Sequence, residues 1–250
     1  MKKFTLVVCL LTAGLFLGLE AQAPDGDWII QKMDENFGSD NKIYVGTMTV
    51  HGRRGSRTIT SKSWLRGVDQ SFTEFLSPPR EAGTKMLKLE DELWTYSPST
   101  DRIIRISGHM LRQSVMGSDL SYEDMMEDPE LSNIYDSQVV GDEIMAERDC
   151  WVLELVAKEG NKDIAYHTRK VWVDKERFIS LREDRFARSG KLLKTTEVIK
   201  VLELEGRWIP SHIVFKDVLK GGKGTEMIIE SMEFDADIPE HVFSKASLRR

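Results

Sequence analysis

The side chains suited to acid–base, nucleophilic or metal chemistry are few and scattered in this sequence. Its five histidines (His51, His109, His167, His212 and His241) form no H-x-x-x-H pair, and no C-x-x-C is present, so no metal site is expected. Gly117-Ser118-Asp119 sets a hydroxyl beside a carboxylate, but it lacks the second glycine and the strand–turn–helix setting of a nucleophile elbow. Gly221-Gly222-Lys223-Gly224 reads as a hairpin tip rather than a phosphate-binding loop. Glu123, Asp124, Glu127 and Asp128 cluster as a solvated helix face would; a carboxylate pair of the glycosidase kind is the arrangement such abundance leaves open. No nucleophile stands with a base. The chain is expected to be a binding protein, not an enzyme, with no catalytic residue and no cofactor.

A different chemistry is concentrated between Met110 and Met126, where four of the 11 methionines (Met110, Met116, Met125 and Met126) fall. Methionine is flexible and polarizable, and it suits a surface that must fit varied apolar partners or fill irregular gaps in a core. Both readings hold at this stage. Around these residues the β pattern that dominates the chain fails, from Ser107 to Tyr135, and Ser121 is placed to cap a short helix beginning at Tyr122, with Asp124 at its acidic third position.

The elements that must position this stretch are mostly strands. Asp25 is placed to cap a helix over Trp28 to Phe37, stopped by Gly38. Alternating segments follow at Ile43–His51, Arg57–Arg66, Gln70–Leu76, Thr84–Leu89, Glu92–Ser97 and Arg102–Ser107, joined by turn-like links such as Gly67-Val68-Asp69 and Ser97-Pro98-Ser99-Thr100-Asp101. A second series runs through Trp151–Leu155, Ile164–Val173, Leu193–Leu204, Trp208–Leu219 and Thr225–Phe234. About a dozen strands with hairpin-length links predict one large antiparallel sheet, strongly curved, with one wet face.

The N-terminus supplies an address. Met1-Lys2-Lys3 is basic, Phe4 to Leu19 is continuously apolar, and Ala21-x-Ala23 has the small-residue form of a cleavage site, with Leu19-x-Ala21 as a second candidate. Sixteen apolar residues are short of the ~20 that a spanning helix needs. Residues 1–23 are therefore expected to be a cleavable signal peptide, cut after Ala21 or Ala23, with 24–250 a single exported domain in the periplasm. The 250-residue chain carries 35 basic and 41 acidic residues; removing the signal leaves 33 and 40, a charge of −7, with Cys150 the one remaining cysteine. An acidic balance argues against nucleic acid as a partner.

Four blocks in order carry a family resemblance: Pro79-Arg80-Glu81-Ala82-Gly83-Thr84-Lys85-Met86-Leu87, Leu93-Trp94-Thr95-Tyr96-Ser97-Pro98, Arg102-Ile103-Ile104-Arg105-Ile106 and Met116-Gly117-Ser118-Asp119-Leu120-Ser121-Tyr122-Glu123-Asp124. Together they resemble the outer-membrane lipoprotein-sorting-like family. The resemblance implies a mainly β fold with a few helices, a LolA-like unclosed antiparallel β half-barrel with a helical lid over an apolar cavity. It implies a periplasmic carrier that binds the acyl chains of a lipoprotein or lipid and moves them toward the outer membrane. The partners so implied are the acylated lipoprotein or lipid, an inner-membrane transporter and an outer-membrane acceptor.

The residues expected to line or close that cavity are Trp94 and Tyr96 on the sheet, with Met110, Leu111, Met116, Tyr122 and Met125 from the lid. Arg80, Arg102 and Arg105 are candidates, by location, for the arginine that gates cargo in the family's carriers. Two rival functions stay open: a regulatory module sensing envelope lipids or lipoproteins, and a hydrolase acting on envelope material.

Overall fold

A computed structural model describes residues 24–52, 55–160 and 164–250. The expected signal segment, Cys9 and the Arg53-Arg54 part of one turn lie outside the described residues. The architecture is a single sheet of 13 strands, every neighbouring pair antiparallel and unclosed, in the order β6-β5-β4-β3-β2-β1-β13-β12-β11-β10-β9-β8-β7. The strands are β1 (Asn41–Gly52), β2 (Gly55–Arg66), β3 (Gln70–Ser77), β4 (Lys85–Leu89), β5 (Glu92–Ser97), β6 (Arg102–Ile106), β7 (Tyr135–Met145), β8 (Arg148–Ala157), β9 (Thr168–Asp174), β10 (Ser180–Phe186), β11 (Leu192–Leu204), β12 (Arg207–Asp217) and β13 (Thr225–Phe234). Three α-helices accompany them: α1 (Gly26–Phe37), α2 (Tyr122–Met126) and α3 (Leu131–Ile134).

The sheet curves because its ladders are interrupted. Register shifts fall at Val45/Gly46 between β1 and β13, at Arg185/Phe186 between β10 and β11, and at Val198/Lys200 between β11 and β12. An extra residue on one side of an antiparallel pair bends that strand and increases its twist. Cross-strand partners then trace one row over the inner face: Met48 opposite Met227, Met227 opposite Ile213, Ile213 opposite Val198, and Glu183 opposite Val171, which faces Leu153.

Two covers share that inner face. The α1 helix starts where the Asp25 side chain accepts from Asp27 N–H at 3.1 Å, and it buries Ile29, Ile30 and Met33 against Leu153, Leu155, Val171 and Val173. Its C-terminal end is pinned by Asn36, whose side-chain amide donates to the carbonyls of Arg177 and Phe178 at 2.8 Å each. The stretch from Gly108 to Met126 covers the strands at the other end of the sheet. On the outer face, the C-terminal segment (Ala236, Ile238, Phe243 and Leu248) packs over Phe72, Leu87 and Trp94.

Two strands, β7 and β10, lie outside the segments expected from the sequence. The β10 strand contains Arg182, Glu183, Asp184 and Arg185 in seven residues, so its composition hides it from a hydrophobic-period reading. The expected segment Ile164–Val173 is a strand only from Thr168.

Candidate functional site

The lid is built by local hydrogen bonding. Single-turn 3-10 segments at Gly108–Arg112 and Val115–Gly117 lead into α2, and backbone bonds from Val115 N–H to Leu120 O (2.9 Å) and Tyr122 N–H to Gln113 O (3.1 Å) fold the two halves together. The reversal passes through Met116 at φ 51° and Gly117 at φ 71°, the left-handed region in which glycine is the unstrained residue. Ser121 and Asp124 then form a reciprocal capping box, Ser121 Oγ accepting from Asp124 N–H at 3.3 Å and Asp124 Oδ2 from Ser121 N–H at 2.6 Å. A helix of five residues needs such caps and tertiary contacts, because isolated short helices do not persist in water.

Its apolar side faces inward. Met110, Leu111, Met116, Leu120, Tyr122 and Met125 pack over a buried cluster that includes Met48, Ile59, Phe75, Met86, Leu93 and Ile106. Beneath the lid lies a cavity of about 230 Å³, walled by Met48, Ile59, Phe75, Val115, Met125 and Met227 among others. Its few neutral polar groups are largely satisfied: Ser63 Oγ and Thr73 Oγ1 share a buried hydrogen bond of 2.9 Å.

A second cavity of about 330 Å³ adjoins it, sharing Asp124, Glu127, Arg185 and Phe215 as walls and reaching Met33, Val198 and Ile213. Between the two sits a charged cluster that ties the lid to the sheet. From α2, Asp124 pairs with Lys194 on β11 and with Arg185 on β10 (3.4 Å), and it accepts from the Tyr166 hydroxyl at 2.6 Å. Glu127, just past α2, pairs with Arg169 on β9. Arg169 is 2% exposed, lies over the Tyr135 ring at 4.7 Å, and with Arg185 (3.1 Å) also holds Glu183.

Three acids thus meet three bases in a confined space. Burial pushes the Glu183 carboxyl up, but Arg185 and Arg169 outweigh it and bring it down to about 2. Burial also pushes Asp124 up; Lys194 and Arg185 overcome that and hold it below the usual range. Tyr166 is driven well above an ordinary phenol by burial and by the Asp124 charge it donates to. The pairs that Asp124 and Glu127 make with Lys194, Arg185 and Arg169 fix the position of the cover. The Nε–H donors of Arg169 and Arg185, both wall residues of the larger cavity, have no protein acceptor among the described residues.

A third tie joins the Ser118-Asp119 turn of the lid to the sheet through hydrogen bonds. Asp119 receives Thr225 Oγ1–H at 2.7 Å and Asp217 N–H at 2.9 Å, while Asp119 N–H donates to Thr225 Oγ1 at 3.0 Å. Lys220 donates to Ser118 O at 2.7 Å. The Gly-Ser-Asp of the sequence is therefore a clasp between lid and β12–β13 hairpin.

Solved structures share this fold. The chain aligns with a domain from Vibrio parahaemolyticus described as an outer membrane lipoprotein-sorting protein at 25% identity, over 90% of this chain and 98% of that one, with a TM-score of 0.79. A DUF1329 family protein from Desulfovibrio piger aligns at 24% identity and TM-score 0.81 over 89% and 97% of the two chains. A LolA superfamily protein from Nitrosomonas europaea aligns at 24% identity and TM-score 0.75 over 90% and 100%. A family model with the description "Uncharacterized protein" matches residues 67–250. The chain belongs to the outer-membrane lipoprotein-sorting-like family. No curated protein matches it by sequence.

In this LolA-like chain the predicted site residues separate into two groups. Met110, Leu111, Met116, Tyr122 and Met125 converge on the inner cluster. Trp94 and Tyr96 do not join them. On β5, Leu93 points to the inner face, so Trp94 and Tyr96, one and three residues on, occupy the outer face with the C-terminal segment, and Lys245 Nζ stands 3.9 Å from the Trp94 ring centroid. Arg80 and Arg102 are exposed, and Arg105 pairs with Glu92 at 3.0 Å across the β5–β6 ladder; none is tied to the lid. Basic residues that do hold it, among them Arg169, Arg185 and Lys194, were missed. Charged residues at alternate positions of β10 (Glu183, Arg185), beside an equally placed arginine on β9, were the available signal.

Proposed function

We propose that this protein is a periplasmic carrier that holds the acyl chains of a lipoprotein or lipid under its lid, residues 1–23 being a cleaved signal and 24–250 the carrier domain. The observation that carries this reading is the pair of adjoining inner-face cavities beside a methionine-rich cover that packs on the apolar cluster and is tied to the sheet by ion pairs. Each acyl CH₂ taken from water contributes about 0.8 kcal/mol, so a chain enclosed between the lid and β1–β3 is retained without any bond-forming chemistry. The methionines adapt to its shape. The free Nε–H donors of Arg169 and Arg185 give the polar end of an amphiphile a place to hydrogen-bond. Met110, Leu111, Met116, Tyr122 and Met125 are proposed as the closing side of the site; Trp94 and Tyr96, on the outer face, are proposed to act through the stability of the sheet.

Loading and release then require the lid to part from Arg169, Arg185 and Lys194, the step at which an inner-membrane transporter and an outer-membrane acceptor would act. No helix among the described residues is long and apolar enough to cross a membrane.

Mass spectrometry of organic extracts from the purified protein tests the reading. Acyl species are expected in stoichiometric amount. A lipid-free protein that also fails to bind a fluorescent fatty acid overturns it.

A further inference from the structure

The strand directions bring the β10–β11 link (residues 187–191) and the β12–β13 link (218–224) to one end of the sheet, two strands apart, where Val218 N–H bonds Leu193 O at 2.9 Å. The second link is a glycine-rich tip. Gly221, Gly222 and Gly224 all have positive φ, and a Cβ on Gly224 would meet Phe215 O at 2.5 Å, so only glycine fits there. This tip exposes two adjacent apolar side chains, Val218 at 39% and Leu219 at 59%.

Cations surround them. Arg188, Lys191, Lys216 and Lys223 are exposed and form no ion pair among the described residues, while the two flanking acids are already engaged, Asp217 by Lys220 at 3.5 Å and Glu226 by the His51 ring at 2.8 Å. The chain as a whole carries −6, so this end is basic on an acidic molecule.

We propose that this end of the half-barrel docks on an anionic phospholipid bilayer, with Leu219 and Val218 entering the interface and the four free cations meeting lipid phosphates. Apolar residues flanked by lysines are the composition that an interfacial contact requires. The acidic remainder of the protein is repelled by the same surface, and this fixes the orientation tip-first. The tip also borders the lid: Leu219 and Lys220 line a cavity of about 350 Å³ whose other charged walls are Arg112 and Lys194 with Glu123 and Asp217. Docking therefore brings an opening beside the lid to the bilayer surface. This goes beyond carriage, because it needs no bound cargo and assigns a surface that a cargo-binding test does not read.

The test is co-sedimentation of the full chain with phosphatidylcholine vesicles, with and without phosphatidylglycerol, alongside hydrogen exchange on the bound protein. Phosphatidylglycerol is expected to strengthen binding, added salt to weaken it, and exchange protection to appear at 187–191 and 216–224. Lys216→Glu and Lys223→Glu should each weaken binding about fivefold or more, and Leu219→Ser should weaken it at all salt concentrations, whereas Lys200→Glu, exposed on β11 and away from the tip, should not. Binding that is equal on both vesicle types, protection elsewhere in the chain, or unchanged binding in the tip variants each overturns the proposal. So does capture of an acidic protein by the same tip with no vesicle binding.

Discussion

Asp119 and Thr225 exchange two hydrogen bonds across the seam between lid and sheet: the threonine hydroxyl donates to Asp119 Oδ2 at 2.7 Å and accepts Asp119 N–H at 3.0 Å. Both residues are buried, and Thr225 opens β13. The pair fixes where the lid ends and the hairpin begins. Asp119→Ala leaves the Thr225 hydroxyl and Asp217 N–H without their acceptor, a loss of about 1–3 kcal/mol per orphaned group. Urea denaturation should show it, and hydrogen exchange should quicken between Val115 and Met126 ahead of the rest of the sheet.

The charged cluster predicts the acid limb of stability. Glu183 falls from its ordinary 4.5 to about 2 in the folded protein, and Asp124 is also held low. A carboxyl whose pKa is depressed by folding stabilises the native state fully above its unfolded value and loses that contribution as pH falls through the folded one. Thermal melts should therefore show a steep decline in Tm from about pH 4.5 toward 2. Glu183→Gln should flatten that limb and lower stability at neutral pH, because it leaves Arg169 and Arg185 short of a buried counter-charge, a change of about 3–5 kcal/mol.

Tyr166→Phe isolates one lid tie. The hydroxyl reaches Asp124 at 2.6 Å, and its removal should cost about 1.5–3 kcal/mol, the range for a hydrogen bond to a charged group. If the lid gates the cavity, a fluorescent fatty acid should also exchange faster in this variant; an unchanged exchange rate would separate the tie from gating.

The two groups of predicted site residues should behave oppositely. Met125→Asp places a carboxylate in the cavity wall and should abolish fatty-acid binding while the sheet stays folded. Met116→Asp, at a left-handed position that aspartate tolerates, should weaken it with little backbone cost. Trp94→Ala should destabilise by about 3–5 kcal/mol and leave probe affinity of the folded protein intact. Equal loss of binding in all three would return Trp94 to the site.

Cys150 supplies a convenient reporter. It is fully buried, and burial followed by the Asp174 charge pushes its thiol up to about 11. A thiol reagent at neutral pH should leave the native protein untouched and react at the rate of unfolding.

Much of this architecture was legible one segment at a time. The strands β1 to β6 follow alternating apolar residues between turn signals, and the α1 helix follows Asp25, its apolar spacing and Gly38. The Ser121 cap and the acidic Asp124, which the structure joins in a capping box, were visible because they are local in sequence. The β10 strand was not, since its charges become acceptable only when Arg169, Glu127 and Asp124, distant in the chain, neutralise them. The faces of Trp94 and Met125 were also hidden: alternation assigns residues to opposite sides of a strand, but not which side is covered by which segment.

The sequence by itself determined most of the strands, their antiparallel hairpins and the methionine-rich interruption, because these depend on period, turn residues and caps within a few positions. Only the tertiary structure decided that the lid closes on the face of Met48 and Leu93, that the C-terminal segment claims the face of Trp94, and that three acid–base pairs lock the lid. The reason is physical: side-chain burial and charge pairing between residues tens of positions apart are set by how the sheet bends, and that bend comes from register shifts that no local pattern records.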